Sequence, residues 1–131
     1  MPTLEISSGK QVDMIDVTDR VRREMRAAGV RDGAAILFVS HTTAAVTINE
    51  NADPDVVRDL VMEINRIVPF ADGYRHAEGN SAAHLKSSLV GASETVLIEN
   101  GELLLGTWQG IYFCEFDGPR QRKLHLKFLP G

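Results

Sequence analysis

One uninterrupted apolar run, Ala34–Ser40 (AAILFVS), constrains the fold more than any other segment. Both faces of this run are apolar, which is typical of a central strand covered by other layers on both sides. A chain of 131 residues, 44% of them hydrophobic, is long enough to build one core of that kind. We therefore expect a single domain over residues 1–131.

Two helices are predicted from capping residues and apolar spacing. The first is expected to start with Thr18 as its N-cap and to end at Gly29, a residue suited to the left-handed closing position. The second is expected to start with Asp53 as its N-cap and Pro54 in the first turn. Apolar residues then recur at helical spacing, which makes this helix the clearest of all.

A third, shorter helix and six strands complete the expected fold. The helix is predicted from Ser81 to Val90, with Gly91 ending it and an apolar face of Ala82, Leu85 and Leu89. The dipeptide Asn100-Gly101 indicates a tight hairpin. The strands are expected at Ala34–Ser40, Val46–Asn49, Glu94–Glu99, Glu102–Thr107, Trp108–Phe116 and Lys123–Leu129. A run of strand and helix followed by a strand-rich C-terminal half predicts an α+β fold with a mixed or antiparallel sheet.

Charge and cysteine content exclude several classes of protein. The 14 Lys and Arg against 18 Asp and Glu give a net charge of −4, so we expect neither nucleic-acid nor anionic-membrane binding. No apolar run is long enough to span a bilayer. The single cysteine, Cys114, forbids an internal disulfide and a multi-cysteine zinc site, and it is expected to be a core residue. With no signal-peptide pattern at the first residues, a cytoplasmic location is expected.

Four histidines are the residues that the composition leaves unexplained. His41 follows the end of the apolar strand, while His76 and His84 frame a loop and the start of the third helix. These three are expected either to converge, as a divalent-metal site or an anion and acid–base pocket, or to be separate surface or hydrogen-bonded histidines. Imidazole ligands favour Zn²⁺ over Mg²⁺. His125 alternates with lysines and is expected to be an exposed strand residue.

The C-terminal half carries two further candidate features. Trp108 and Gln109 stand between glycines and are interpreted as either a core aromatic or a recognition strand. Beyond Asp117 there are only bases, and Arg120 and Arg122 in particular suggest an anionic ligand such as a phosphate or carboxylate. The alternative is a solvated strand edge protected by its charges.

Together these motifs resemble the YjbQ-like family, often labelled secondary thiamine-phosphate synthases. The resemblance rests on Ser40–Ala44, Thr47–Asn51, the run His76…Asn80…His84-Leu85-Lys86 and Gly106–Gln109. It covers the chain from about Ile6 to Phe128. It implies a compact α+β fold that assembles as a homotrimer, with pockets close to subunit interfaces.

The resemblance also implies roles for individual residues. The family's polar signature falls on His41, Thr42, Thr43, Asn49, Glu50, His76, Asn80, His84, Trp108, Gln109, Glu115 and Arg122. The implied reaction joins an aminopyrimidine pyrophosphate to a thiazole phosphate and releases pyrophosphate, for which a divalent cation is usual. Catalysis is expected from His41, Glu50 and His84, with a metal on His41, His76 and His84. Substrate contacts are expected from Thr42, Thr43, Asn49, Asn80, Lys86, Trp108, Gln109 and Arg122.

Three functional hypotheses follow from these residues. The first is an enzyme with a histidine-centred site that acts on a small phosphorylated or anionic metabolite. This site depends on Zn²⁺ or Mg²⁺ in one version of the hypothesis, and the family resemblance implies weak thiamine-phosphate synthase activity. The second is a non-catalytic homotrimer that binds a metal or a phosphorylated metabolite. The third, a purely structural interaction module, ranks last because it leaves the histidines and arginines unexplained.

Overall fold

The chain folds into three helices and eight strands, described for residues 1–131 in a computed structural model. The order is β1 (Thr3–Ser7), β2 (Asp13–Asp16), α1 (Thr18–Ala28), β3 (Gly33–Val39), β4 (Ala44–Glu50), α2 (Pro54–Ile67), α3 (Ser81–Val90), β5 (Ser93–Glu99), β6 (Glu102–Leu103), β7 (Gln109–Glu115) and β8 (Gln121–Pro130). All paired strands are antiparallel. The expected α+β class with three helices is confirmed, although the sequence patterns did not predict β1 and β2.

The strands are divided between two sheets that share one core. The larger sheet has the order β1-β8-β3-β5-β6, and the smaller has the order β2-β7-β4. One face of each sheet packs with α1 into a cluster of 17 buried apolar side chains. The cluster includes Leu4, Ile6, Val21, Met25, Leu37, Val46, Ile98, Phe113, Leu124 and Leu126.

The strand that is covered on both faces is β7, and the prediction of this role for Ala34–Ser40 was wrong. Successive residues of β7 alternate between the main core and a second, smaller cluster under α2 and α3. The strand β3 is central in its sheet, but only one of its faces is buried. Phe38 on the other face is 47% exposed, because no layer of the chain lies over it.

The helix starts follow the capping chemistry with one correction. Asp53 accepts a hydrogen bond from the Asp55 amide (2.9 Å) ahead of Pro54, and Gly29 closes α1 with φ of 71°, both as expected. Thr18 is not the N-cap of α1. It lies inside the first turn, where its amide and hydroxyl both donate to Asp16 (2.9 and 2.6 Å).

The helix α3 uses a different face from the predicted one. Ala82 is buried as expected, but Leu85 and Leu89 are 46% and 65% exposed. The small side chain of Ala83 allows the helix to lie close against the smaller sheet, with Ser87 also facing inward. None of the three helices has the length and apolarity that crossing a membrane requires.

The remaining predicted strands are present in the structure and differ from the prediction mainly in length. Asn100 and Gly101 have φ of 53° and 76° and form the expected hairpin turn. The returning strand β6 is only Glu102–Leu103, much shorter than predicted. In β8 the apolar residues Leu124 and Leu126 face the core, as the alternation indicated.

Candidate functional site

His41 lies in the connection between β3 and β4, beside the strand β8. The last pair of the β3–β8 ladder is Val39 with Leu124, so the chain leaves the sheet next to Lys123. The backbone amide of Lys123 donates to His41 Nε2 (2.9 Å). Since Nε2 is the acceptor, the neutral ring carries its proton on Nδ1.

The surroundings of His41 keep the ring neutral. Burial lowers the pKa of His41 below its usual 6.5, and the charge of Arg122 lowers it further, while Glu115 opposes them in part. Protonation would also place a second donor against the Lys123 amide. The Nε2 lone pair, which a base or a metal ligand would use, is therefore already occupied.

A buried ion pair stands next to this histidine. Arg122 Nε donates to Glu115 Oε1 (2.9 Å), and Nη2 donates to Oε2 of the same carboxylate. Nη2 also contacts Thr43, donating to its hydroxyl (2.7 Å) and its carbonyl oxygen (3.2 Å). Both charged side chains are almost fully buried, so the pair is a fixed part of the interior.

Glu115 is held ionised by more than its arginine. Burial would raise the pKa of Glu115, but hydrogen bonds from Arg122, the Asp117 amide (2.9 Å) and the Ser8 hydroxyl (2.8 Å) outweigh it, and the pKa is lowered. Arg122 Nη1 takes no part in these bonds. It is the one guanidinium nitrogen without a hydrogen-bond partner in the chain.

A second polar group extends from this pair towards α3. Asp117 Oδ2 accepts from Asn80 Nδ2 (2.9 Å) and from Arg120 Nη2 (3.0 Å). The amide oxygen of Asn80 is buried and has no hydrogen-bond partner. Arg120 and Arg122 are thus both paired with acids, so the expected basic patch is reduced to its exposed lysines.

The histidines do not form one group within a single chain. His76 and His84 come together, with ring centroids 5.6 Å apart and planes at 89°. Glu78 lies 3.8 Å from His76 on the exposed loop. No three His, Cys, Asp or Glu side chains of the chain are arranged to hold a metal ion. His41 is bound to the Lys123 amide instead of joining the other two.

His125 is not simply the exposed residue that the alternation indicated. It is half-buried and sits between two hydroxyl groups, with Nδ1 3.0 Å from Thr3 Oγ1 and Nε2 2.9 Å from Ser40 Oγ. The pairing of His125 with Phe38 brings it to the end of β3, near His41. Residues joined only by strand register leave no signal in sequence spacing.

Lys86 lies inside the protein, away from any solvent-borne ligand. Its side chain is fully buried, Nζ donates to the Val68 carbonyl oxygen (2.8 Å), and it stands 3.6 Å over the Phe70 ring. Burial lowers the pKa of this lysine. The expected phosphate contact from Lys86 is not available in this arrangement.

The remaining signature residues lie at the opposite end of the β4–β7 ladder. Glu50 pairs with Gln109 there, whereas Ala44 pairs with Glu115 at the His41 end. Six residues of strand separate the two ends, which is roughly 20 Å. Trp108 beside Gln109 is 62% exposed, so it is not a core aromatic. Within one chain the signature residues therefore do not form a single group.

Several partners of the candidate site were not predicted from the sequence. Ser8 reaches Glu115 only through folding, since it is 107 positions away along the chain, whereas the Asp117 amide contacts Glu115 from two residues further on. Of the predicted substrate contacts, Thr42 is exposed. The side-chain oxygen of Asn49 accepts a hydrogen bond from the backbone amide of Glu50 (2.6 Å).

Comparison with known proteins assigns the chain to a family. The model of the UPF0047 protein YjbQ-like family matches residues 2–131. The chain belongs to the YjbQ/UPF0047 family. The UPF0047 protein YugU of Bacillus subtilis is 52% identical over 130 residues, covering 98% of each chain. The UPF0047 protein MJ1081 of Methanocaldococcus jannaschii is 46% identical over 125 residues, covering 95% of this chain and 91% of that protein.

Solved structures of the YjbQ/UPF0047 family agree with the fold. A crystal structure from Clostridium acetobutylicum, described as an uncharacterized conserved protein, matches with a TM-score of 0.97 and 49% identity over 98% of this chain and all of that one. A YbjQ-like protein of unknown function from Sulfolobus solfataricus matches with a TM-score of 0.95 and 29% identity, over 99% and 96% of the two chains. The family and the fold are thus established together.

Proposed function

We propose that this protein binds a small phosphorylated or anionic metabolite through His41 and Arg122 and acts on it as an enzyme. The observation that carries the proposal is the hydrogen bond from the Lys123 amide to His41 Nε2. This bond leaves Nδ1–H as a donor on a ring that stays neutral. We propose Arg122 Nη1, which has no hydrogen-bond partner in the chain, as a second donor, because two donors suit the oxygens of a phosphate or carboxylate.

The charge balance around the two donors favours binding over proton transfer. Glu115 neutralises most of the Arg122 charge, so an incoming anion meets hydrogen-bond donors and not a strong uncompensated cation. A neutral imidazole can hold an oxyanion and stabilise charge that develops on it. In this role His41 is a hydrogen-bond donor and not a base.

Glu50 is our candidate for a catalytic carboxylate that stabilises the positive charge developing on the aminopyrimidine and thiazole rings, and it reaches the substrate only across a subunit boundary. The ends of the β4–β7 ladder that carry Glu50 and Glu115 are too far apart to contact one ligand within a chain. A homotrimer would bring the Glu50 end of one subunit to the His41 end of the next. The exposed side chains of Phe38, Leu97 and Leu129 support assembly, since large apolar surface is normally covered.

The specific reaction we propose is thiamine-phosphate formation at a low rate, as the YjbQ-like resemblance implies. Trp108 is exposed and available to stack on a heterocycle, while the donors at His41 would hold the departing pyrophosphate. The residues of one chain do not fit the three-histidine metal site, because only His76 and His84 are together. A Zn²⁺ or Mg²⁺ ion would need further ligands from a neighbouring subunit.

Anion binding is tested by calorimetric titration of the purified protein with inorganic phosphate and pyrophosphate. We expect His41→Ala to weaken binding by about tenfold or more, the worth of a charge-assisted hydrogen bond. Lys127→Ala, which removes an exposed cation outside the site, is the matched control and should bind within about twofold of the parent. Equal affinity of the His41→Ala variant and the parent would contradict the proposal.

Turnover and assembly are tested separately. Thiamine phosphate formation is measured for the parent, His41→Ala, His84→Ala and Glu50→Ala. If the composite site exists, mixing unfolded His41→Ala and Glu50→Ala chains and refolding them restores activity, because some interfaces then carry both native residues. No recovery with correctly assembled mixtures would refute the shared site.

The alternative function is a non-catalytic homotrimer that binds a metal or a phosphorylated metabolite. The observation favouring it is that Nε2 of His41, the atom a catalytic base would use, is already hydrogen-bonded. Retained phosphate binding in a protein that forms no thiamine phosphate would select this alternative over the enzyme.

A further inference from the structure

An apolar groove lies on the other side of β7 from the His41 site. Cys114 and Phe116 of this region face the groove, whereas Glu115 between them faces the ion pair. The groove has a volume of about 530 Å³. Its floor includes Cys114 and Phe116, and its wall is formed by α2 residues such as Val61 and Ile64.

The groove exists because α2 covers the smaller sheet incompletely. Its apolar stripe predicts a well-packed helix, yet no residue of α2 is fully buried. Leu60 and Ile67 line the groove and remain exposed, the latter at 67%. A space of this size with mostly apolar walls is within the range of small-molecule sites.

The floor of the groove is chemically inert. Burial raises the pKa of the Cys114 thiol to about 12, so it is a neutral apolar group and not a nucleophile. The groove is therefore suited to holding a ligand by shape and not to a covalent step.

The charged groups that line the groove are all acidic. Asp59 has no hydrogen-bond or ion-pair partner in the chain, and Glu63 is paired with Arg66 only loosely, at 3.6 Å on the surface. Thr47 and Asn49 add uncharged groups, and no Lys or Arg lines the groove. The charge complementary to this lining is positive.

We propose that the groove binds a small apolar molecule that carries a protonated amine, with the amine at Asp59. The apolar body fills the space that α2 leaves over the sheet, and the ammonium group pairs with the free carboxylate. An apolar acid of the same size would meet Asp59 with a like charge. The amine is therefore preferred over a neutral or anionic analogue.

The natural methionines provide a reporter for this binding. Met14 lines the groove, Met62 lies on α2 outside it at the surface, and Met25 is buried in the main core. The experiment titrates full-length protein, labelled with ¹³C on the methionine methyl groups, with octylamine, octanol and octanoate. We expect the Met14 signal to shift, with little change for Met62 and Met25.

Head-group preference and charge reversal decide the outcome. We expect octylamine to bind more tightly than octanol by up to about fivefold, the worth of an exposed ion pair, and octanoate to bind least tightly. Asp59→Lys should reverse the order of amine and acid. Asp55→Lys makes the same charge change on α2 outside the groove and should leave the order as in the parent.

Four results would overturn the proposal. These are no shift of Met14 with any probe, equal shifts of Met14 and Met62, equal affinity for amine and acid, or an unchanged order in Asp59→Lys. If Met14 instead shifts on dilution of the protein alone, a second copy of the chain fills the groove and the proposal is also wrong. None of these readouts depends on His41, so a failure of the groove proposal can be distinguished from a failure of the proposed function.

Discussion

Arg122→Met is expected to destabilise the protein strongly, because it leaves Glu115 buried without its counter-ion. The arginine makes two hydrogen bonds to the carboxylate and two to Thr43. After the substitution, Glu115 retains only the Ser8 hydroxyl and the Asp117 amide. Removing one partner of a buried pair costs about 3–5 kcal/mol of unfolding free energy.

The pH dependence of this loss follows from the pKa of Glu115. In the parent the pKa is below the usual 4.5, so the pair contributes stability above pH 4.5 that is lost as the pH falls through the folded pKa. In Arg122→Met, burial dominates and raises the pKa, so the ionised carboxylate destabilises the fold as the pH rises above 4.5. The difference between parent and variant is therefore large at pH 7.5 and shrinks towards pH 4.5.

The assay is urea unfolding followed by far-ultraviolet circular dichroism, at one protein concentration and at both pH values. Arg120→Met is the matched control, since its pair with Asp117 is half-exposed and worth about 1 kcal/mol or less. In the double variant Arg122→Met/Glu115→Leu much of the loss should be recovered, because no buried charge remains. A loss of unfolding free energy in Arg122→Met no larger than in Arg120→Met would show that Glu115 does not depend on Arg122 as its buried counter-ion.

Three further predictions concern other parts of the molecule. Because the pKa of His41 is lowered in the folded protein, the unfolded chain takes up a proton first, and the unfolding free energy should fall as the pH drops below 6.5. Urea unfolding should therefore show that the difference in unfolding free energy between the parent and His41→Gln narrows between pH 7 and pH 5. Gly33→Ala should lower the unfolding free energy by at least about 1–3 kcal/mol, because the added Cβ would lie 1.9 Å from the Leu129 carbonyl oxygen and Gly33 has a φ of 143°. Gly73 has open space around it, so the control Gly73→Ala should change the unfolding free energy by about 0.5 kcal/mol or less. Cys114 should react with iodoacetamide only after unfolding, and rapid labelling of the folded protein, detected by mass spectrometry, would contradict its burial.

Local sequence signals predicted the helix ends well. Asp53, Pro54 and Gly29 act through their own backbone and nearest neighbours, so their positions can be inferred from a few residues. Thr18 failed as a cap because Asp16, two residues earlier, offers the stronger acceptor. The strand β1 alternates cleanly around Leu4 and Ile6, but its five residues are too few to distinguish a strand from a loop by pattern alone.

The candidate site was predictable in its residues but not in its arrangement. His41, Glu115 and Arg122 stood out through the family signature, yet their partners Ser8 and Thr43 meet them only through sheet register. Residue spacing cannot reveal which ring nitrogen of a histidine is occupied or which charges cancel. For the same reason the opposite faces of β3 and α3 were misassigned, since layer order is a property of the whole fold.

The proposal that His41 binds an anion through Nδ1–H can be tested at the ring itself, from its tautomer and its response to phosphate. Long-range ¹H–¹⁵N spectra of the histidine rings, recorded at pH 7 with and without inorganic phosphate, report both. We expect a neutral His41 ring with the proton on Nδ1, and a shift of that nitrogen when phosphate is added. A ring protonated on Nε2, or one that phosphate leaves unchanged, would contradict the account.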